Sequence, residues 1–414
     1  MKPKTYSVRV PLSQFDLWPN KTPLLLHLDM ELTERCNNNC SHCYINLPAD
    51  DFQAKKRELI FEEIQSILNE AASLGCLTVR FTGGEPLLRD DFEDIYIYSR
   101  KLGLKVKIFT NGTLITPHLA ELFSRFPPGD TIQVSLYGWN RKSYEAVSRV
   151  PGSFEGVQRG IKLLNAHNIP FIINAVVLPL KITAFQELEA WIKTVPLLNV
   201  PQPQILALHL SCRDRDETRD NRIKAFRVGP QEQLALEARK PESYIDDLIK
   251  FCSRFCGIPG DILFGCGAGV SRGCVDAYGN LQLCLLLRHP ETVYHLKIGS
   301  LTHAILDFFP KIRKFKAKDP LYLERCARCF LHSLCEQCPA VSWMENRSLD
   351  SWPKHFCDFT QAQARFIGLL KEGEKSWEVT DWQERINKLF DSKKLFSKKQ
   401  KNKTSIHIDK RSYS

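Results

Sequence analysis

Between residues 26 and 210, short apolar runs alternate with stretches whose apolar residues recur at helical spacing, and this alternation restricts the fold more than any other feature. Strands are predicted at Leu26–Leu32, Leu77–Phe81, Lys105–Phe109, Thr131–Leu136, Phe171–Leu178 and Gln204–Leu210. Helices are predicted at Glu58–Leu74, Phe92–Leu102, Pro117–Arg125, Phe154–His167 and Ala184–Thr194. Strands and helices in this order imply a parallel sheet with crossover helices. Six such units fall short of the eight that close a barrel. The predicted fold class is therefore α/β, a partial (β/α)6 barrel followed by a small cysteine-rich domain. In such folds the chemistry sits at the C-terminal ends of the strands.

The chain then divides into a lead-in (1–25), the partial barrel (26–211), a charged bridge (212–262), the cysteine-rich segment (263–360) and a C-terminal helix with a basic tail (361–414). The bridge holds RDRDETRDNR at 213–222 and an amphipathic stretch at Tyr244–Phe255, and Thr360–Phe390 reads as helical. The cysteine-rich segment has little periodicity, so ligands rather than a core are expected to set its structure. With 43% hydrophobic and 25% charged residues, wholesale disorder is excluded. No run approaches the ~18 apolar residues of a membrane span, and no apolar stretch follows the basic start at Lys2 and Lys4. The net charge of +10 is uneven: residues 391–414 carry eight Lys/Arg against two Asp. The remainder is only +4 (49 Lys/Arg against 45 Asp/Glu), too little for a nucleic-acid enzyme, and the tail reads as a solvated terminus.

Fifteen cysteines, an odd number in a chain without a signal sequence, point to a reducing, cytoplasmic location and to metal thiolates rather than disulfides. Cys36, Cys40 and Cys43 form a C-x3-C-x2-C array directly after the first strand. Three thiolates on one loop suit three irons of a [4Fe–4S] cluster, and the lack of a fourth leaves one iron open to a substrate. A zinc knuckle or buried thiols are the plainer alternatives.

In that position the array resembles the signature of radical S-adenosylmethionine enzymes. Gly83-Gly84-Glu85-Pro86 after the second strand is similar to the family's GGEP motif, and Thr110-Asn111-Gly112 and Ser135-Leu136-Tyr137-Gly138 match positions at the third and fourth strand ends. The resemblance implies that S-adenosylmethionine is the cosubstrate. It would be met by His42, Tyr44, Gly83, Gly84, Glu85, Pro86, Thr110 and Asn111, with Glu85 on its ammonium and Ser135 and Arg149 on its carboxylate. The Gly pair is expected to let backbone approach that ligand. Tyr137 stands where many members have Asp. The implied activity is reductive cleavage to a 5′-deoxyadenosyl radical that abstracts hydrogen from a substrate.

Eight further cysteines fall between Cys266 and Cys357, as C-x12-G-x4-C around Gly279, C-x2-C-x5-C-x2-C, and a last Cys. This resembles the SPASM module, which holds two auxiliary [4Fe–4S] clusters, although its central run ends C-x3-C. The resemblance implies Cys266, Cys274, Cys284 and Cys338 for one cluster and Cys326, Cys329, Cys335 and Cys357 for the other, with Cys274 marking an iron that some members leave open. Two zinc ribbons are the alternative on spacing alone. Of the rest, Cys76 reads as core, Cys212 lies near the active mouth, and Cys252 and Cys256 share a helical face.

The resemblance further implies a peptide or protein substrate, oxidation or epimerisation of a small molecule or sugar being the alternative. Sulfatase-maturing relatives carry Asp where Leu285 stands, which argues against formylglycine formation. The short lead-in is expected to leave peptide recognition to a separate protein, and ferredoxin or flavodoxin is the expected reductant. A rival of another class is a non-catalytic iron–sulfur electron carrier or zinc-ribbon interaction protein.

Overall fold

The structure is a computed structural model, and it describes residues 25–175, 178, 182–194, 208–210, 217–335 and 337–391. Five parallel strands follow the predicted alternation: β1 (His27–Thr33), β2 (Thr78–Gly83), β3 (Lys105–Thr110), β4 (Gly129–Leu136) and β5 (Phe171–Ala175). Every residue of β1 after His27 is buried, as expected of a parallel strand covered on both faces. Helices α1 (Phe61–Ser73), α2 (Phe92–Lys101), α3 (Pro117–Arg125), α4 (Arg141–Ser148), α5 (Ser153–Ala166) and α6 (Ile182–Ile192) fill the crossovers. In α1 the buried Ile64, Ile67, Leu68 and Ala71 form one stripe at helical spacing. That helix begins three residues later than predicted, because Glu58 is buried and receives Arg35 Nε and Nη2 at 2.8 and 3.0 Å.

The predicted sixth strand, Gln204–Leu210, falls largely outside the described residues, and 208–210 are in no strand. The opposite edge of the sheet holds a difference. Strand β6 (Arg272–Val275) leaves the cysteine-rich segment to pair in parallel with β1, Asp29 opposite Cys274. Antiparallel β7 (Asn280–Gln282) and β8 (Tyr294–His295) extend it, giving the order β8-β7-β6-β1-β2-β3-β4-β5. The cysteine-rich segment therefore has a core after all: Leu281, Leu301, Ile305 and Phe309 are fully buried in the apolar cluster that holds Leu28 and Met30.

The bridge carries helices Glu217–Lys224, Pro230–Glu237 and Pro241–Phe255. The C-terminal helical stretch is broken in two, Lys354–Phe366 and residues 382–391. Gly368 (φ 80°) ends the first piece, and the Leu369 amide caps the Ala364 carbonyl. Among the described residues no helix is long and apolar enough to cross a membrane.

Candidate functional site

The cysteine loop leaves β1 at its C-terminal end and is pinned from three sides. The Arg35 amide donates to Thr33 Oγ1 (2.9 Å), and Asn38 N approaches Cys36 Sγ (3.4 Å). Asn111, at the end of β3, donates through Nδ2 to Asn37 Oδ1 (2.8 Å). Arg219, from the charged bridge, donates to the carbonyls of Cys43 and Asn46 (both 3.0 Å) and to Asn46 Oδ1 (2.8 Å). These contacts hold a segment that has no regular structure of its own.

The glycine pair makes a close approach within the protein as well as bordering the cavity. A Cβ on Gly83 would lie 2.2 Å from the Thr33 carbonyl oxygen, and one on Gly84 would lie 2.2 Å from that of Arg35. The Gly84 and Glu85 amides donate to those same two carbonyls (2.7 and 2.9 Å). The pair thus fastens the end of β2 to the root of the cysteine loop. Glu85 is fully buried and accepts from Thr110 Oγ1 (2.7 Å), the Asn111 amide (2.7 Å) and the Leu87 amide (3.1 Å). Burial lifts its carboxyl to about 7 against those hydrogen bonds. It ties the ends of β2 and β3 together.

A cavity of about 540 Å3 opens over these strand ends. Cys36, Cys40 and Cys43 border it, as do His42, Tyr44, Gly83, Gly84, Thr110, Asn111, Ser135 and Tyr137. Two predicted contacts, Glu85 and Pro86, lie behind its wall. Arg149 borders a separate cavity on the other side of the loop, shared with Cys36 and Asn38. The reason is local: Arg149 caps α4 in a left-handed conformation (φ 58°), which turns the chain away.

Burial raises the Cys36 thiol and lifts that of Cys40 to about 12. The Tyr137 hydroxyl hydrogen-bonds Cys40 and favours its anion, a role its aspartate counterparts could not fill. His42 packs edge-on against Tyr137 (5.3 Å), and burial lowers its imidazole to about 4. His42 Nδ1 and Ser41 Oγ are buried without partners. Thiols so placed ionise when a metal compensates the charge. Among the described residues no three cysteine, histidine or acidic side chains converge closely enough to grip a single ion. These thiols border a space instead. The donor set fits a bulky cluster with a ligand beside it.

The distal cysteines form two neighbourhoods. Cys326, Cys329, Cys335 and Cys357 line one small cavity of about 20 Å3. In the other, the Cys284 thiol is raised to about 12 by burial, with Cys338 and Cys266 adding to it, and Cys284 acts on Cys274 in turn. Cys76 lies in the core. Cys252 and Cys256 hydrogen-bond each other at the end of Pro241–Phe255. Cys212 lies outside the described residues.

Two residues escaped sequence reasoning. Arg219 sits in the charge run of the bridge, where sequence gives no sign of a contact to the cysteine loop. His209 borders the main cavity beside Leu208 and opposite the thiols. Its Nδ1 is buried without a partner, and burial, with Arg227 adding to it, lowers its imidazole to about 4.

Residues 30–192 match the sequence family described as the Radical SAM superfamily, so the chain carries a domain of that superfamily. Its members use a [4Fe–4S] cluster and S-adenosylmethionine. An AdoMet-dependent heme synthase of Methanosarcina barkeri is 37% identical over 147 residues, 36% of this chain and 41% of that protein. The antilisterial bacteriocin subtilosin biosynthesis protein AlbA of Bacillus subtilis is 31% identical over 150 residues, 36% of this chain and 33% of that protein. The matched stretch thus spans about two fifths or less of these relatives. The crystal structure of Streptococcus suis SuiB bound to precursor peptide SuiA superposes with a TM-score of 0.58 at 19% identity, covering 81% of this chain and 76% of that one. That likeness extends the shared fold well beyond the superfamily domain.

Proposed function

We propose that this chain is a radical S-adenosylmethionine enzyme that abstracts hydrogen from a side chain or Cα of a peptide or protein. The observation that carries it is the three-cysteine loop at the end of β1, bordering a cavity walled by the ends of β2, β3 and β4. A [4Fe–4S] cluster on Cys36, Cys40 and Cys43 supplies one-electron cleavage of the cosubstrate sulfonium. Tyr137 donates to Cys40, and Asn111 holds the loop through Asn37. The backbone at Gly83, Gly84, Thr110 and Asn111 and the Ser135 hydroxyl offer polar contacts to the cosubstrate across the cavity. Glu85 fixes the two strand ends that present them. Walls of Phe109, Leu208 and Leu286 limit water around a reactive radical.

In this reading the two distal cysteine sets hold auxiliary [4Fe–4S] clusters in a SPASM-like domain, and the reductant is a ferredoxin or flavodoxin of a reducing cytoplasm. The peptide substrate is supported by the names of AlbA and of the SuiB–SuiA complex. A small-molecule substrate is the second reading, favoured by the heme synthase relative.

The test is anaerobic reconstitution with iron and sulfide counting. About twelve irons per chain are expected, falling to about two thirds of that in Cys36→Ala/Cys40→Ala/Cys43→Ala, by four irons per cluster. Cosubstrate cleavage should disappear in that variant, and surviving cleavage would overturn the site assignment.

A further inference from the structure

The two distal cysteine sets sit in different electrostatic surroundings. Around Cys326, Cys329, Cys335 and Cys357, donors and a cation face the sulfurs. Ser376, fully buried, has its Oγ 2.9 Å from Cys329 Sγ. Gln361 Nε2 donates to that same Oγ (2.5 Å), which leaves the serine proton for the sulfur. Thr360 lines the same cavity. The indole Nε1 of Trp352 is buried with no hydrogen-bond partner, and Trp352 lines the same cavity as Cys357. Arg325 lies beside Cys326, its guanidinium between the rings of Trp352 (4.4 Å) and Trp377 (5.4 Å), with Nε buried and unpartnered. Among the described residues no carboxylate lines that cavity, and the nearest acids, Asp319 and Asp358, lie outside its lining.

The other set is built against carboxylates. Cys274 stands opposite Asp29 across the β1–β6 pairing. Glu31, also on β1, is paired with Arg288 at 2.6 Å. Arg80 is likewise engaged by Asp29 at 2.5 Å. Each cation there is in direct ion-pair contact with an acid, whereas among the described residues no acid lines the cysteine cavity that Arg325 borders, the carboxylates of Asp358 and Glu378 bordering the adjoining one.

Hydrogen bonds to cluster sulfurs and nearby positive charge favour the reduced, more negative state and raise the reduction potential. Donors to charged acceptors are the strong ones. From this contrast we infer that Trp352, Ser376, Thr360 and Arg325 set the Cys326/Cys329/Cys335/Cys357 cluster at the higher reduction potential of the two. These four are positioning residues: they act on the electron affinity of a neighbouring group and need not touch substrate. The inference rests on the reading that both distal sets hold [4Fe–4S] clusters. An electron leaving a substrate radical would then come to rest on the Cys326 set, whichever set received it first. The transfer reduces one oxidised iron–sulfur cluster by one electron and oxidises the substrate radical by one.

The test is a redox titration followed by electron paramagnetic resonance on the anaerobically reconstituted full chain. The chain carries Cys36→Ala, Cys40→Ala and Cys43→Ala, so that only the distal sets are loaded. Two transitions and about eight irons are expected, by four irons per cluster. Trp352→Phe and Ser376→Ala, each added singly, should move the higher transition to more negative potential and leave the lower one in place. Eight irons with neither transition moved, or with the lower one moved, would overturn the inference while leaving the cluster reading intact. A chain that loads no iron at these sets would overturn both. Ser376→Ala removes one hydroxyl and keeps the backbone, so it answers the question if the larger Trp352 change fails to fold.

Discussion

His209 shows how burial sets the chemistry of one side chain. Its imidazole is held at about 4, against an ordinary value of 6.5, chiefly by desolvation. It is neutral in the folded chain at pH values well above 4. The unfolded chain takes up the proton first as pH falls, so stability is lost as pH drops from about 6.5 toward 4. Between pH 7 and 5 the loss from this group is ~2 kcal/mol. Urea midpoints of wild type and His209→Gln over that range should converge by that amount as pH falls; parallel curves would show that the imidazole is not buried neutral. Glu85→Ala makes the companion test. It strands the amides of Leu87 and Asn111, at a cost of roughly 2–4 kcal/mol for two buried donors, and equal denaturant midpoints would remove Glu85 from its tie between β2 and β3. Cysteine spacing made the ligand candidates legible in the sequence, because three thiols on one short loop have few uses. Arg149, Arg219 and His209 were not legible, since whether such a residue faces a cavity is decided by cap geometry and by contacts more than a hundred residues away, as in Arg219 to Cys43.

At the scale of elements, the joint between β1 and β2 carries the site. Gly84 leaves no room for a side chain against the Arg35 carbonyl. Gly84→Ala is expected to cost about 3 kcal/mol, the upper end for forced overpacking. It should also lower iron loading at the first cysteine set, because the root of that loop would shift. Full loading at unchanged stability, read by iron assay and thermal melt, would contradict this. The parallel strands and their crossover helices were readable because apolar runs and helical stripes are local patterns. Pro117–Arg125 matches residue for residue. Strand β6 was not readable. Its four residues gain strand geometry by pairing with β1, about 240 positions earlier, and no local period records such a partner. The same pairing explains why the cysteine-rich segment shares the core of the sheet and is not shaped by ligands alone.

At the scale of the whole molecule, one sheet joins the cysteine loop at the end of β1 to the distal set at Cys274. Asp29 on β1 faces Cys274 on β6, while the chain after β1 runs into Cys36. The continuous core gives both sites one rigid support, which an enzyme needs if electrons are to pass between fixed centres. Leu286, two residues past Cys284, borders the main cavity, so the cysteine-rich segment also forms part of the wall a substrate would meet. In the proposed function, the strand-end cavity binds S-adenosylmethionine beside a three-cysteine cluster. The most direct measurement is the electron paramagnetic resonance spectrum of the dithionite-reduced, reconstituted chain before and after adding S-adenosylmethionine, with product analysis. A changed cluster signal and release of 5′-deoxyadenosine are the expected result. Bound zinc, or a signal indifferent to S-adenosylmethionine with no 5′-deoxyadenosine, would contradict it.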